Sequence, residues 1–147
     1  MKRIVQIFGL ALLFQGLLIV SAAQDAEKRA KGETGDRIRI VNVTSSAPVQ
    51  DGVENEFTVE IEYTVESGDA ATIMIGFNTE KSTIYRMTTS KKVNKGTSII
   101  TLKSKVVPKD WKEYGDFVVI ANMFPYPETR GRMIPTASSR HVIEFAN

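Results

Sequence analysis

Apolar side chains recur at every second position along much of the chain from Arg37 onward. The clearest run is 57–65, in which Phe, Val, Ile, Tyr and Val take the odd positions and Thr or Glu take the even ones. This alternation predicts a β-strand with one face in a core and one face in water. No stretch sustains the period of an amphipathic helix, so the pattern predicts an all-β protein.

Clusters of Pro, Gly, Asn and Asp divide the pattern into seven predicted strands. The predicted strands are Arg37–Ser45, Phe57–Val65, Ala71–Asn78, Ser82–Ser90, Ser98–Val107, Phe117–Phe124 and Arg140–Phe145. Short strands at a spacing of about ten residues, with no helices between them, are typical of antiparallel sandwiches. We therefore predict a single seven-stranded antiparallel β-sandwich that spans 37–147.

The first 23 residues have the pattern of an export signal. Lys2 and Arg3 precede the largely apolar run Ile4–Val20, and small residues follow at 21–23. We predict cleavage after Ala23; the alternative is a retained membrane anchor, because the apolar run approaches the roughly 20 residues that span a bilayer. The polar, charged segment 24–36 is expected to be a flexible linker.

Cleavage there changes the charge balance, because the signal contains two of the 19 basic residues and none of the 17 acidic ones. A net-neutral product gives no support to nucleic-acid binding, which needs a positive face. The chain has no cysteine, which excludes a lipoprotein anchor and disulfides. We expect a soluble bacterial protein, secreted or periplasmic, with no membrane anchoring after signal cleavage.

Charge is distributed in two blocks. Residues 51–80 contain eight acidic and no basic side chains, whereas 81–112 contain nine basic and one acidic. The blocks could form a steering or metal-binding surface and a basic patch for anionic glycans. Alternatively they pair internally, with Glu60 and Glu62 facing Lys103 and Lys105 across neighbouring strands.

The predicted strand Phe117–Phe124 is apolar on both faces. Such a strand is covered on both sides, or one side is an apolar patch. Met74 and Val142 are expected to extend that second face. Either a loop folds over it, or it serves as a ligand or dimer face.

The candidate chemistry does not point to an enzyme. The single histidine, His141, shares its parity with Ile143 and Phe145 and is expected to be a partly buried structural residue. One histidine and no cysteine disfavour a zinc site or a nucleophilic triad. We predict no catalytic residues, no metal and no cofactor.

The most suggestive segment is the last loop, 124–139, since loops of this length are often functional. Its binding-type residues, together with two aromatic residues of the preceding connection, are the candidate contacts with a partner. These candidates are Trp111, Tyr114, Tyr126, Arg130, Arg132 and Met133. The alternative is that the loop covers the apolar face and the two aromatic residues close one end of the domain.

The runs IRIVNV, GVENEFTVEIEYTV, SIITLKSKVV and DFVVIANMF resemble the strands of bacterial immunoglobulin-like and fibronectin type III-like sandwiches. The resemblance implies a non-catalytic binding or spacing role. We therefore expect an adhesion-type module that contacts a protein or a glycan through its last loop. The alternative is an assembly subunit that forms homo-oligomers through an apolar sheet face or through the charge blocks.

Overall fold

The computed structural model describes residues 34–82, 86–127 and 134–146. Five strands and one short 3₁₀ turn occur in this part of the chain. Their bounds are β1 Arg37–Ser45, β2 Asn55–Thr79, β3 Arg86–Val106, η1 Lys112–Tyr114, β4 Phe117–Pro125 and β5 Ala137–Val142. The predicted signal 1–23 and most of the predicted linker lie outside the described residues.

Alternation of side chains organises β2 as the sequence predicts. Its odd positions from Phe57 to Val65 are buried, and the even positions between them are only partly so. The same rule holds in the second half of β3, where Ile100 and Leu102 are buried and Lys103 is exposed. The all-β prediction is confirmed.

The strands form one antiparallel, curled sheet around β2. The first half of β2 pairs with β1 on one side and with the second half of β3 on the other. The second half of β2 pairs with β4 and with the first half of β3, and β4 pairs with β5. Each half of β2 is thus the centre of its own group of strands.

The seven predicted strands are not found as separate strands in the described residues, because two of the expected turns do not end their strands. Residues 66–69 form an irregularity in the β2–β3 ladder, which resumes at Ala70. Gly96 lies opposite Val65 in this ladder and adopts φ 110°. Turn-forming residues therefore bend β2 and β3 here without interrupting them. The described residues therefore form five strands, not seven separate ones.

The curl of the sheet encloses one hydrophobic core. Four phenylalanines line one end of it, with ring centroids 5.2 Å apart for Phe57–Phe77, 6.2 Å for Phe77–Phe117 and 6.1 Å for Phe117–Phe145. Aromatic packing of this kind stabilises a core beyond the area that it buries.

The last strand begins earlier than predicted. β5 starts at Ala137, not at Arg140, because Ala137 is a small apolar residue that pairs with Met123. The two serines that follow use their hydroxyls: Ser138 Oγ donates to Asn122 Oδ1 at 2.6 Å, and Ser139 Oγ accepts from Ile40 N at 3.0 Å. The connection between β4 and β5 is therefore shorter than the 124–139 loop expected.

The folded domain begins at Asp36, which the sequence places in the linker. This side chain is fully buried, and its carboxylate accepts hydrogen bonds from Glu66 N at 2.8 Å, Ser67 N at 3.0 Å and Ser67 Oγ at 2.6 Å. Burial raises the pKa of Asp36, but hydrogen bonds from Ser67, Thr136 and Glu66 outweigh it, so the pKa is lowered. Asp36 thus ties the start of the domain to the bend in β2.

Candidate functional site

The predicted site residues are divided between opposite ends of the domain. Trp111 and Tyr114 lie in the connection that precedes β4, whereas Tyr126 follows its last residue. The nine residues of β4 span about 30 Å at ~3.3 Å per residue, so these residues form no single site. Arg130, Arg132 and Met133 lie outside the described residues.

The connection that carries Trp111 is a short 3₁₀ turn. Tyr114 N donates to Trp111 O at 2.7 Å, and Gly115 N donates to Lys112 O at 3.3 Å. Gly115 then adopts φ 83°, a backbone conformation that suits glycine, and the chain turns into β4. Trp111 and Tyr114 are three residues apart in sequence, and local hydrogen bonds hold them on the same turn.

Long-range hydrogen bonds fix this turn on the domain. Lys81 N donates to Tyr114 O at 3.0 Å, and Lys81 Nζ donates to Glu113 O at 3.0 Å. On the other side, Gly52 N donates to Pro108 O at 2.8 Å. These contacts join the β3–β4 connection to the β2–β3 connection and to the β1–β2 connection, so the turn has a defined position.

Four large apolar side chains are exposed at this end of the domain. Trp111 is 55% exposed, Val53 52%, Tyr114 49% and Val107 46%. The rings of Trp111 and Tyr114 are tilted by 59°, with centroids 6.0 Å apart. We call Val53, Val107, Trp111 and Tyr114 the end patch. The sequence does not signal the two valines, because long-range hydrogen bonds, Gly52 N to Pro108 O and Asp110 N to Asp51 Oδ1, bring their connections together.

Tyr126 makes a different contact at the opposite end. Lys92 Nζ of β3 lies 3.9 Å from the centroid of its ring, which is a cation–π distance, and Tyr126 remains 46% exposed. Nothing in the spacing of the sequence signals this pair, because it depends on the pairing of β3 and β4 with β2.

The expected register between the charge blocks is wrong. Glu60 and Glu62 face Thr101 and Ile99, although their strands are neighbours as predicted. The observed register differs by four residues from the antiparallel one that would set these glutamates opposite Lys103 and Lys105. Any even shift keeps every side chain on its own face, so alternation alone cannot choose between the registers. Among the described residues, Lys103 Nζ–Glu56 Oε1 at 3.8 Å is the ion pair that joins the two blocks.

The second face of β4 is covered over much of its area. Val118 is 0% exposed and Phe124 6%, although neither belongs to the main core cluster. Met74 and Ile120 are half-buried, and Val142 is 45% exposed. Of the two alternatives that the sequence leaves open for this face, the described residues favour the covered one over most of β4.

His141 is exposed, which corrects the expectation of a partly buried histidine. It borders a cleft of about 580 Å³ between β1 and β5, two strands that share no backbone ladder. Its backbone pairs with Val119 of β4, whose side chain is buried in the core, whereas the His141 side chain is exposed. Across the three described ranges, no group of three or more His, Asp or Glu side chains is placed to hold a metal ion.

No protein-family model matches the chain, and the comparisons with curated proteins and with solved structures find no significant match. In 34–82, 86–127 and 134–146, no helix is long and apolar enough to cross a membrane.

Proposed function

We propose that this domain is an exported, non-catalytic binding module and that its end patch contacts a protein partner. The observation that carries the proposal is the exposure of Val53, Val107, Trp111 and Tyr114 on two connections that a backbone hydrogen bond joins. Four of the nine large apolar side chains exposed in the described residues lie on these two connections.

The residue types at the end patch favour a protein as the partner. Trp and Tyr are enriched among the residues that dominate binding energy at protein interfaces. Both have few rotatable bonds, so ordering them on binding costs little entropy. Charged side chains such as Lys109 and Lys112 flank them in the chain and would form the polar rim of such an interface.

We propose in addition that the fold is an immunoglobulin-like or fibronectin type III-like sandwich. Two groups of neighbours support this: β1 with the first half of β2 and the second half of β3, and the first half of β3 with the second half of β2, β4 and β5. Counted by halves, these groups contain seven segments, the number that the sequence predicts.

A second candidate surface is the last loop, where Tyr126 is exposed beside the cationic side chain of Lys92. Arg130, Arg132 and Met133 remain predicted contacts of this surface. Self-association through the outer face of β4 has less support, because Val118 and Phe124 are buried there.

Site-specific cross-linking tests the end patch. A photoreactive amino acid replaces Trp111, and the control carries it at Ile99, which is equally exposed at 55% but lies on the outer face of β3. The cross-linking is done in the cells that produce the protein. We expect the photoreactive residue at position 111 to form one discrete adduct, and an excess of purified unlabelled domain should prevent its formation. Tyr114→Ala should abolish this adduct. Equal labelling from both positions, or no adduct from position 111, would contradict the proposal.

A further inference from the structure

The strand β3 is an unusually basic edge. It contains six cationic side chains and no acidic one, and all six are exposed. They are Arg86, Lys91, Lys92, Lys95, Lys103 and Lys105. Among the described strands β3 pairs only with β2, so its other edge has no strand partner there.

The bend in β3 brings its first and second halves, here called its two arms, together on one side of the domain. Thr89 Oγ1 in the first arm donates to Lys103 O in the second arm at 2.8 Å. A groove of about 730 Å³ lies beside this contact, and its lining includes Arg86, Lys103 and Lys105. Cations that are distant in the sequence thus converge on one concave surface.

Most of these charges are not neutralised by neighbours. Lys103 is the one cation of β3 that forms an ion pair in the described part of the chain, with Glu56 at 3.8 Å. Glu54 also lines the groove and reduces its positive charge, and Lys92 contacts the ring of Tyr126. Lys105 lies opposite Glu56 in the ladder but forms no ion pair with it. Arg86 and Lys105 therefore keep charges that can attract an anion from solution.

Protection of the exposed edge of β3 against pairing with another chain explains only part of this arrangement of cations. Lysines on edge strands discourage pairing with another chain, which accounts for isolated cations along β3. It does not account for the convergence of Arg86, Lys103 and Lys105 on a groove. A ligand with several negative charges explains that convergence.

The shape and composition of the edge favour a linear polymer. A groove between two strand arms suits a chain of repeating charges better than the flat surface of a membrane does. β3 contains no aromatic residue, so it lacks the stacking surfaces with which proteins hold single-stranded nucleic acids. Ammonium and guanidinium groups bind carboxylate and sulfate groups through charge-assisted hydrogen bonds.

We propose that the groove between the arms of β3 binds an anionic polysaccharide through Arg86, Lys103 and Lys105. The groove borders the end patch at Val107, but none of the three cations belongs to that patch. The proposal therefore does not depend on the proposed protein partner. Binding is electrostatic, so it weakens as the salt concentration rises.

Affinity measurements with two polymers test this site. Heparin is the sulfated probe and polygalacturonate the carboxylated one, and calorimetry is run between about 50 and 200 mM salt. The test variant combines Arg86→Ser, Lys103→Ser and Lys105→Ser. The control combines Arg37→Ser, Arg39→Ser and Arg140→Ser, which removes the same charge from exposed residues that do not line the groove. Circular dichroism shows whether each variant is folded.

We expect the test variant to bind at least one polymer about tenfold more weakly than the parent, and the control to lose less than about threefold. Equal losses would overturn the proposal, because net charge would then explain the binding. Parent protein that binds neither polymer, or that binds anionic lipid vesicles or single-stranded DNA more tightly, would overturn it too. A test variant that binds normally but dimerises would identify these cations as edge protection alone.

Discussion

The rings of Phe57 and Phe77 have centroids only 5.2 Å apart, although both residues belong to the single strand β2. In a straight strand, positions 57 and 77 would be about 66 Å apart at ~3.3 Å per residue. The contact therefore shows how sharply β2 bends. It also shows that the two halves of the strand face each other across the core.

Truncation of this contact should strongly destabilise the domain. Phe57 is 1% exposed, and Phe57→Ala leaves a cavity between the two halves of β2, so we expect a loss of about 3–5 kcal/mol in the free energy of unfolding. Urea denaturation measures it. Ile99→Ala, at a side chain 55% exposed, is the control and should change stability by less than about 0.5 kcal/mol. A loss below about 1 kcal/mol at Phe57 would contradict a close-packed core there.

The bend in β3 can be tested with two glycines. Gly96 has φ 110° with open space around an added Cβ, so Gly96→Ala should destabilise the protein through backbone strain alone, by about 1–2 kcal/mol. Gly68 has no such φ, and an added Cβ comes no closer than 3.7 Å to its neighbours, so Gly68→Ala should change stability by less than about 1 kcal/mol. Thermal unfolding of both variants measures the contrast. Equal effects would mean that Gly96 does not hold the bend.

The carboxylate of Asp36 should make stability depend on pH in the acidic range. Its pKa is lowered in the folded state, so the stability it contributes is present at neutral pH and is lost as the pH falls below about 4. Asp36→Asn removes the charge, and we expect it to be less stable than the parent at pH 7. Urea unfolding at several pH values should show this difference shrinking toward pH 2. A difference that is independent of pH would show that the charge of Asp36 is not what matters.

A single hydrogen bond joins the edges of β1 and β5. Ser139 Oγ accepts from Ile40 N at 3.0 Å, and no backbone ladder connects these strands. Ser139→Ala should therefore cost about 0.5–1.5 kcal/mol and speed hydrogen exchange at the Ile40 amide. Exchange measured by NMR tests this, with Ser90→Ala on the exposed face of β3 as control. Unchanged exchange at Ile40 would show that the hydroxyl does not protect that amide.

The prediction of export has a direct readout. Protein recovered from the envelope or the medium of producing cells should begin at Gln24, because the small residues before it suit signal peptidase. Intact-mass spectrometry determines the N-terminus. Recovery of the full chain from the membrane fraction would support the retained anchor instead.

Sequence alternation by itself determined which residues form the core strands. The odd positions of 57–65 and the two apolar faces of 117–124 were predicted correctly, because the pleat of a strand sends successive side chains to opposite faces wherever the strand lies. The exposure of Trp111 and Tyr114 also agrees with their place in a connection between strands.

Tertiary structure decided what the turn residues do and which side chains meet. Residues 66–69 and 94–96 look like strand ends in the sequence, because they contain turn-forming residues. The same residues also suit a bend within a strand whose ladder continues. Alternation leaves registers that differ by two residues equivalent, so only long-range packing placed Lys103 beside Thr89 and opposite Thr58. The end patch and the groove of β3 depend on these pairings, because contacts between distant segments are set by the free energy of the whole fold and not by local pattern.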